Sequence, residues 1–407
     1  MQTGTWPRVA LISLGGFFEF YDIFFTGYIA PGLVRSGILT PTTPGLFGST
    51  GIAGFVAAMF SGLFIGTALV SFAADRFGRR TIFTYSLLWY TAASVVMAFQ
   101  HDVFGLDLWR FISGIGVGVE LVTIDTYLSE LVPANLRGRA FAINQAIQFC
   151  AVPVVALFAW ILVPRAPLGL DGWRWVVLLG AGGAAVVWWI RRRVPESPRW
   201  LAPRARGSFR EMWRPPYRTR SIMLIVFHLF QTVGFYGFSN WVPTLLIARG
   251  IAITSSLRYT FIIAIAAPFG PLLAAGIADR LERKWQIVWS ALAIAVAGIL
   301  FGRMSAAAAL IFFGVLLTLA NNILSFSSHA YQAELYPTRI RARAVGFVYS
   351  WSRISVVFSS FVIGFALDRF GVPGVFTLIA GSMLIVMLAI GALGPRTNNL
   401  ALEAISK

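Results

Sequence analysis

Charge is scarce in this chain, and acidic charge is scarcest. Only 12% of the 407 residues are Asp, Glu, Lys or Arg, and 16 acids stand against 33 basic residues. With 57% hydrophobic residues and a mean hydropathy of +0.75, there is too little polar surface to clothe a soluble globule. Cysteine occurs once, at Cys150, so no disulfide can form within the chain. Three histidines and few acids supply no metal-ligand cluster and no nucleophile–base signature, so a metal centre and enzymatic catalysis are not expected. A Gly-rich phosphate loop is also lacking, which argues against ATP as an energy source; no cofactor is implied. No cleavable signal peptide is expected, because the first apolar run is too long for a signal core and carries Glu19 and Asp22 in its middle.

Long apolar runs are what the chain has instead. Twelve approach the roughly 20 residues needed to cross a bilayer, near 8–30, 46–73, 81–100, 105–131, 139–163, 173–193, 219–247, 256–278, 283–302, 307–333, 341–367 and 373–394. They are continuous and lack a two-residue alternation, which excludes a transmembrane barrel. The expected fold is an all-α membrane protein of twelve transmembrane helices in two six-helix bundles, 1–193 and 219–407, with a cytoplasmic linker rich in Arg and Pro at 194–218. Pro31, Pro153, Pro243, Pro268 and Pro271 mark places where spans bend or end. Gly27, Gly114, Gly116 and Gly118 thin helix surfaces for close packing.

The net charge of +17 does not point to nucleic acid, because of where it sits. With both termini placed in the cytoplasm, 24 of the 33 Lys and Arg fall in cytoplasmic segments, eight on or near the outer side, and one, Arg353, within a span. That asymmetry orients helices during insertion. The ten Arg between Arg191 and Arg220 also suit contact with anionic lipid headgroups.

Two motifs recur at a single spacing of 204 residues. Asp75-Arg76 with Arg79-Arg80 returns as Asp279-Arg280 with Arg283-Lys284. Tyr127-x-x-Glu130-x-x-Pro133-x-x-x-Arg137-x-Arg139 returns as Tyr331-x-x-Glu334-x-x-Pro337-x-x-x-Arg341-x-Arg343. A shared offset means two homologous halves, and a duplicated helical membrane chain is most often a transporter with its substrate between the halves.

The segments SFAADRFGRR (71–80), RFISGIGVGVELVTIDTYLSELVPANLRGRA (110–140), VPESPRWL (194–201) and YQAELYPTRIRARAVG (331–346) resemble the major facilitator superfamily, in its branch of sugar porters, organic-ion carriers and metabolite:proton symporters. The resemblance runs nearly end to end, and the linker is shorter than the cytoplasmic domain common in sugar porters. It implies a cytoplasmic latch formed by Asp75, Arg76, Arg80, Glu130 and Arg139 in one half and Asp279, Arg280, Glu334 and Arg343 in the other. It also implies that Asp22, within GGFFEFYD, takes the coupling proton and pairs with Arg110, within RFISGIGVG. Gln145 and Gln231 match amides that hold sugar hydroxyls, whereas Val152, Tyr236 and His329 depart from the sugar-porter pattern. The string SWSRISVVFSSF around Arg353 resembles organic-ion and acid carriers in which an arginine binds an anionic group. The family is usually monomeric.

Charges inside the bilayer cost at least ~2.5 kcal/mol each, so each asks for a role. Glu19 and Asp22, three residues apart, lie close to one helical face; repulsion between them favours one holding a proton. Glu19 either shares that proton or lines a wet cavity. Glu120 and Asp125 project about 140° apart and cannot both face one cavity; one is functional and the other a helix–helix partner, or Asp125 joins the latch. Arg353 lies about 12 residues into its span, roughly 18 Å deep. Its guanidinium can grip a carboxylate with two hydrogen bonds, or it can pair with Glu19, Asp22 or Glu120. Neutral groups expected at the cavity are Tyr21, Asn144, Gln145, Gln148, Gln231, Tyr236, Asn240, Trp241, Asn321, Asn322, Tyr349 and Trp351, some serving only as interhelical glue. His329 could assist an anionic substrate or the proton; His228 is expected to be a packing residue.

The function that follows is proton-coupled symport of a small organic acid or similar polar metabolite across the bacterial inner membrane, by alternating access. Sugar, polyol or organic-cation transport on the same fold, and a membrane sensor without flux, are the alternatives. From the latch, Glu130→Ala is expected to shift the protein toward a state open to the cytoplasm. Cysteine reporters on the cytoplasmic side should gain reactivity, and unchanged labelling would refute the latch.

Overall fold

The computed structural model describes residues 5–40, 43–45, 51–67, 79–132, 136–191, 209–277 and 281–397. Among them the chain is helical throughout its spans. α1 is Thr5–Tyr28, followed after a break at Ile29 by the short helix Ala30–Arg35. α2 is Gly51–Ile65, α3 Arg79–Ala98 and α4 Val103–Leu131. α5 comes in two pieces, Arg137–Phe149 and Ala151–Leu162, and α6 is Gly172–Arg191. After a short 3-10 turn at Phe209–Trp213, α7 runs Tyr217–Ser239 and continues as Val242–Ile247. α8 is again in two pieces, Ile253–Ala264 and Phe269–Ile277; α9 is Arg283–Arg303 and α10 Ala307–Glu334. The last run, Thr338–Leu393, reverses at Gly371, giving α11 over 338–370 and α12 over 372–393. Gly371 has φ 66°, a region that only glycine enters without a Cβ penalty. The order and number of helices are those expected from the apolar runs.

The four broken helices all meet partners across the boundary between the halves. Pro31, Pro153, Pro243 and Pro271 each lack the N–H that would bond four residues back, so the backbone there can turn. α1 meets α7 near their breaks, where Gly27 lies directly against the Asn240 carbonyl. α5 packs along α8 on both sides of the breaks, with Trp160 stacked on Phe261 at 5.7 Å. In α8, the carbonyl of Ala267 that Pro271 leaves unpaired accepts Asn322 Nδ2 at 2.9 Å, so α10 braces the bend. α2 and α11 make the third contact between halves, where Ala53 meets Gly364.

Within the first half, Gly114 and Gly118 of α4 sit against the backbone of α2 at Met59 and Leu63, and Gly62 sits reciprocally against Phe111. That backbone approach lets dispersion hold two helices that gain nothing from the hydrophobic effect in lipid. Gly116 faces away, toward Trp89 and Tyr90 of α3.

Several arginines cap helix ends. Arg174 donates to the carbonyls of Ala98 and Gln100 at the end of α3. Arg249 does the same for Gly302 and Met304 at the end of α9. These carbonyl pairs are equivalent positions in the two halves. Arg35 donates to Val163 and Pro164 beyond α5. Each supplies a donor and a positive charge where a helix leaves carbonyls unpaired and its dipole is negative.

Because Gly27 has no room for a side chain, Gly27→Trp is expected to hold the outer ends of α1 and α7 apart. A Val242→Cys reporter, buried beside this contact and placed in a chain lacking Cys150, should then react with an impermeant maleimide. Continued protection would contradict the close-approach role.

Candidate functional site

The interior polar groups fall into two sets, one in each half. In the first, Asp22 on α1 is buried and fully engaged. Its Oδ2 accepts from Arg110 Nη1 at 2.8 Å and from Ser113 Oγ at 3.2 Å, and its Oδ1 accepts from Ser94 Oγ at 2.7 Å. Arg110, on α4, also donates to Thr26 Oγ1 at 2.6 Å and to the Asp22 carbonyl, and its guanidinium lies 4.3 Å from the Phe25 ring centre. Arg110 is wholly buried and the Asp22 side chain is 6% exposed. A charge pair this dry survives because each partner is the other's counter-charge and all but Arg110 Nε is hydrogen-bonded; removing one partner would strand the other. The expected Asp22–Arg110 pair is therefore present, and the hydroxyls around it, Ser94, Ser113 and Thr26, were not anticipated. Small hydroxyl residues in apolar spans carry no sequence signal that separates this role from helix packing.

In the second half Arg353, on α11, is 1% exposed and paired with no carboxylate at hydrogen-bonding distance among the described contacts. Its Nη2 donates to Tyr349 OH at 2.8 Å and its Nη1 to Tyr236 OH at 3.3 Å, while its buried Nε has no protein partner. The Tyr349 ring lies under the guanidinium at 4.8 Å and is flanked by His228 and His329, each at 5.3 Å. His228 shares a hydrogen bond of 2.9 Å with Gln332 Oε1, and His329 Nδ1 donates to the Ser325 carbonyl at 2.7 Å. Tyr236 also packs on Phe60 of α2 at 4.8 Å, which ties the Arg353 group to the opposite half. Glu19 of α1 is buried and lies within electrostatic reach of Arg353. Glu19 and Asp22 thus serve different neighbours despite their spacing of three.

The remaining expected residues divide by surroundings. Gln231 is buried one turn beyond His228 on α7, with its Oε1 lacking a protein partner. Asn144 and Asn240 are buried with unpartnered amide atoms. Gln148 packs on Gly16 of α1, and Gln145 is half-buried on α5. Buried polar atoms are almost always hydrogen-bonded, so this concentration of unpartnered ones near the interface marks where a ligand or water is needed. Two expected residues are engaged elsewhere. Tyr21 points into its own bundle, donating to the Val176 carbonyl at 2.7 Å, and Asn322 is spent on the α8 bend. His228 proves to be part of the Arg353 group; its period with Gln231 and Tyr236 along α7 was the available signal.

Of the latch, Asp75, Arg76, Asp279 and Arg280 lie outside the described residues, as do the side chains of Arg80, Glu120, Asp125 and Glu130. Arg139 is exposed at the start of α5 and Arg343 is exposed on α11. Glu334 pairs with Arg283, joining α10 to α9 within one half. Arg283 belongs to the repeated motif but had not been assigned to the latch. No group of three or more His, Cys, Asp or Glu able to hold a metal occurs among the described residues.

A duplicated helical bundle with broken helices and an underpaired polar layer between its halves defines a membrane transporter. The family model of the Major Facilitator Superfamily matches residues 12–316 and 260–402, and the chain belongs to that superfamily. It is 30% identical to YyaJ of Bacillus subtilis, provisionally named a metabolite transport protein, over 94% of this chain and 90% of that one. It is 28% identical to the niacin transporter NiaP of Acinetobacter baylyi, covering 97% of this chain and 95% of the relative. The inward-open structure of the xylose transporter XylE from E. coli superposes with a TM-score of 0.80 at 20% identity, covering 99% of both chains. The protein is thus a multi-pass membrane transporter of metabolites and not an enzyme.

Arg110→Leu should leave Asp22 as a stranded buried charge and cost about 3–5 kcal/mol of stability. Thermal unfolding in detergent should show the loss, and adding Asp22→Asn should recover part of it. An unaltered midpoint in the single variant would mean the pair is not dry.

Proposed function

We propose that this protein is a proton-coupled symporter of a small organic acid, working as a monomer by alternating access in the bacterial inner membrane with both termini in the cytoplasm. The observation that carries the reading is the contrast between the two buried arginines. Arg110 has its own carboxylate and is neutralised; Arg353 has only tyrosine hydroxyls at bonding distance, and the Nε of both is without a protein partner. A guanidinium held this way suits a carboxylate from outside. The name of NiaP fits: niacin is a monocarboxylic acid.

The cycle has the coupling proton enter at Asp22. While Arg110 is in place Asp22 stays ionised; when the bundle rearranges and the two separate, the desolvated carboxylate takes a proton. Substrate binds against Arg353, the halves rock about the broken helices, and the proton and the acid leave toward the cytoplasm. One proton carried with one monocarboxylate moves no net charge, so the pH gradient drives accumulation, at about 1.4 kcal/mol per pH unit. Neutral-sugar transport is the second reading, favoured by the amides Gln231 and Asn144.

In proteoliposomes, Asp22→Asn is expected to lose accumulation driven by a pH gradient by at least about tenfold while retaining exchange of labelled niacin or another transported monocarboxylate for unlabelled. Undiminished gradient-driven uptake would remove Asp22 from the coupling.

A further inference from the structure

The organic-acid reading accounts for Arg353 but leaves its neighbours unexplained. On α7, His228 and Gln231 sit one turn apart, and both have a buried acceptor with no protein partner, His228 Nδ1 and Gln231 Oε1. His228 is held by Gln332 through Nε2, so its neutral ring donates there and leaves Nδ1 an acceptor, on a ring that packs edge-on against Tyr349. Gln231 can offer its acceptor or its donors to the same space. A plain carboxylate would satisfy Arg353 and leave these two groups stranded, and a buried polar group left without a partner costs more than its bond would have gained. A hydroxyl has one proton to donate and lone pairs to accept with, so it can donate to one of these acceptors, such as His228 Nδ1, while accepting from the Gln231 amide N–H.

Resting on the organic-acid reading, we infer that the substrate is a hydroxylated monocarboxylate, with its carboxylate on Arg353 and a hydroxyl against Gln231 and His228. A second carboxylate is disfavoured because the charge facing Arg353 from the other half is Glu19, an acid. The site then combines the anion grip of an acid carrier with an amide of the kind that reads hydroxyls. A site built to hydrogen-bond a hydroxyl rejects the analogue lacking it far more strongly than an apolar pocket rejects a missing methylene.

The test is binding of matched probes to the purified full-length protein, read by intrinsic tryptophan fluorescence and thermal stabilisation. The pairs are propionate with lactate, pentanoate with xylonate, and benzoate with 4-hydroxybenzoate; xylose and xylarate are the neutral and doubly acidic controls. In any pair that binds, the hydroxylated member is expected to bind at least about tenfold tighter, with xylose and xylarate weaker than xylonate. Gln231→Leu should shrink the ratio within that pair, and Gln231→Met serves if the leucine variant does not fold; Arg353→Gln should abolish binding of both members. Acids that bind through Arg353 with no hydroxyl preference would overturn this inference and leave the acid reading standing. Xylose binding as tightly as xylonate, indifferent to Arg353→Gln, would overturn both, as would the failure of every acid to bind.

Discussion

A charge inside the bilayer has no water to solvate it, and the rest of this structure is arranged around that constraint. The chain solves it twice, in opposite ways. In the first half, Asp22 and Arg110 cancel one another and three hydroxyls add hydrogen bonds to the pair. In the second, Arg353 is buried against two tyrosine hydroxyls, with an acid held at longer range in the facing half. The first solution is closed and can change only by moving a proton; the second is open and can be completed by a ligand. The proposed division of labour, with a proton site in one bundle and a substrate site between the two, rests on that difference.

Mobility is placed where it serves this division. The helices with missing backbone hydrogen bonds, α1, α5, α7 and α8, meet across the midline together with α2 and α11, while continuous helices such as α3 and α9 form the body of each bundle. α1 bears both Glu19 and Asp22 and touches α7 at Gly27, so a shift at the interface is felt at the proton site. α7 bears His228, Gln231 and Tyr236, and Tyr236 bridges Phe60 and Arg353. Rocking of the halves must therefore disturb both sites together, which is the physical requirement for coupling.

The fold was legible because its signals are long: apolar runs, a duplicated motif and a one-sided charge distribution each average over many residues. Asp22 with Arg110 was legible through the resemblance of GGFFEFYD and RFISGIGVG to the family's motifs. Other assignments depended on which way a side chain turns. Tyr21 sits next to Asp22 in the chain, yet its hydroxyl reaches α6. Asn322 was expected to face the cavity, but the carbonyl freed by Pro271, a residue 51 positions earlier, takes its amide. His228, read as a packing residue, belongs to the Arg353 group because α7 presents it on the same face as Gln231. Sequence spacing gives the face of a helix, and only the packed neighbours say what that face meets.

The central claim is that Asp22 gains a proton only when it parts from Arg110 during the transport cycle. Infrared difference spectroscopy of the protein in lipid tests it most directly, recording the change on acidification with a transported carboxylate present. The account predicts a protonated-carboxyl band that is missing in Asp22→Asn. The same band in Asp22→Asn, or none in the wild-type protein, would show that the coupling proton resides elsewhere.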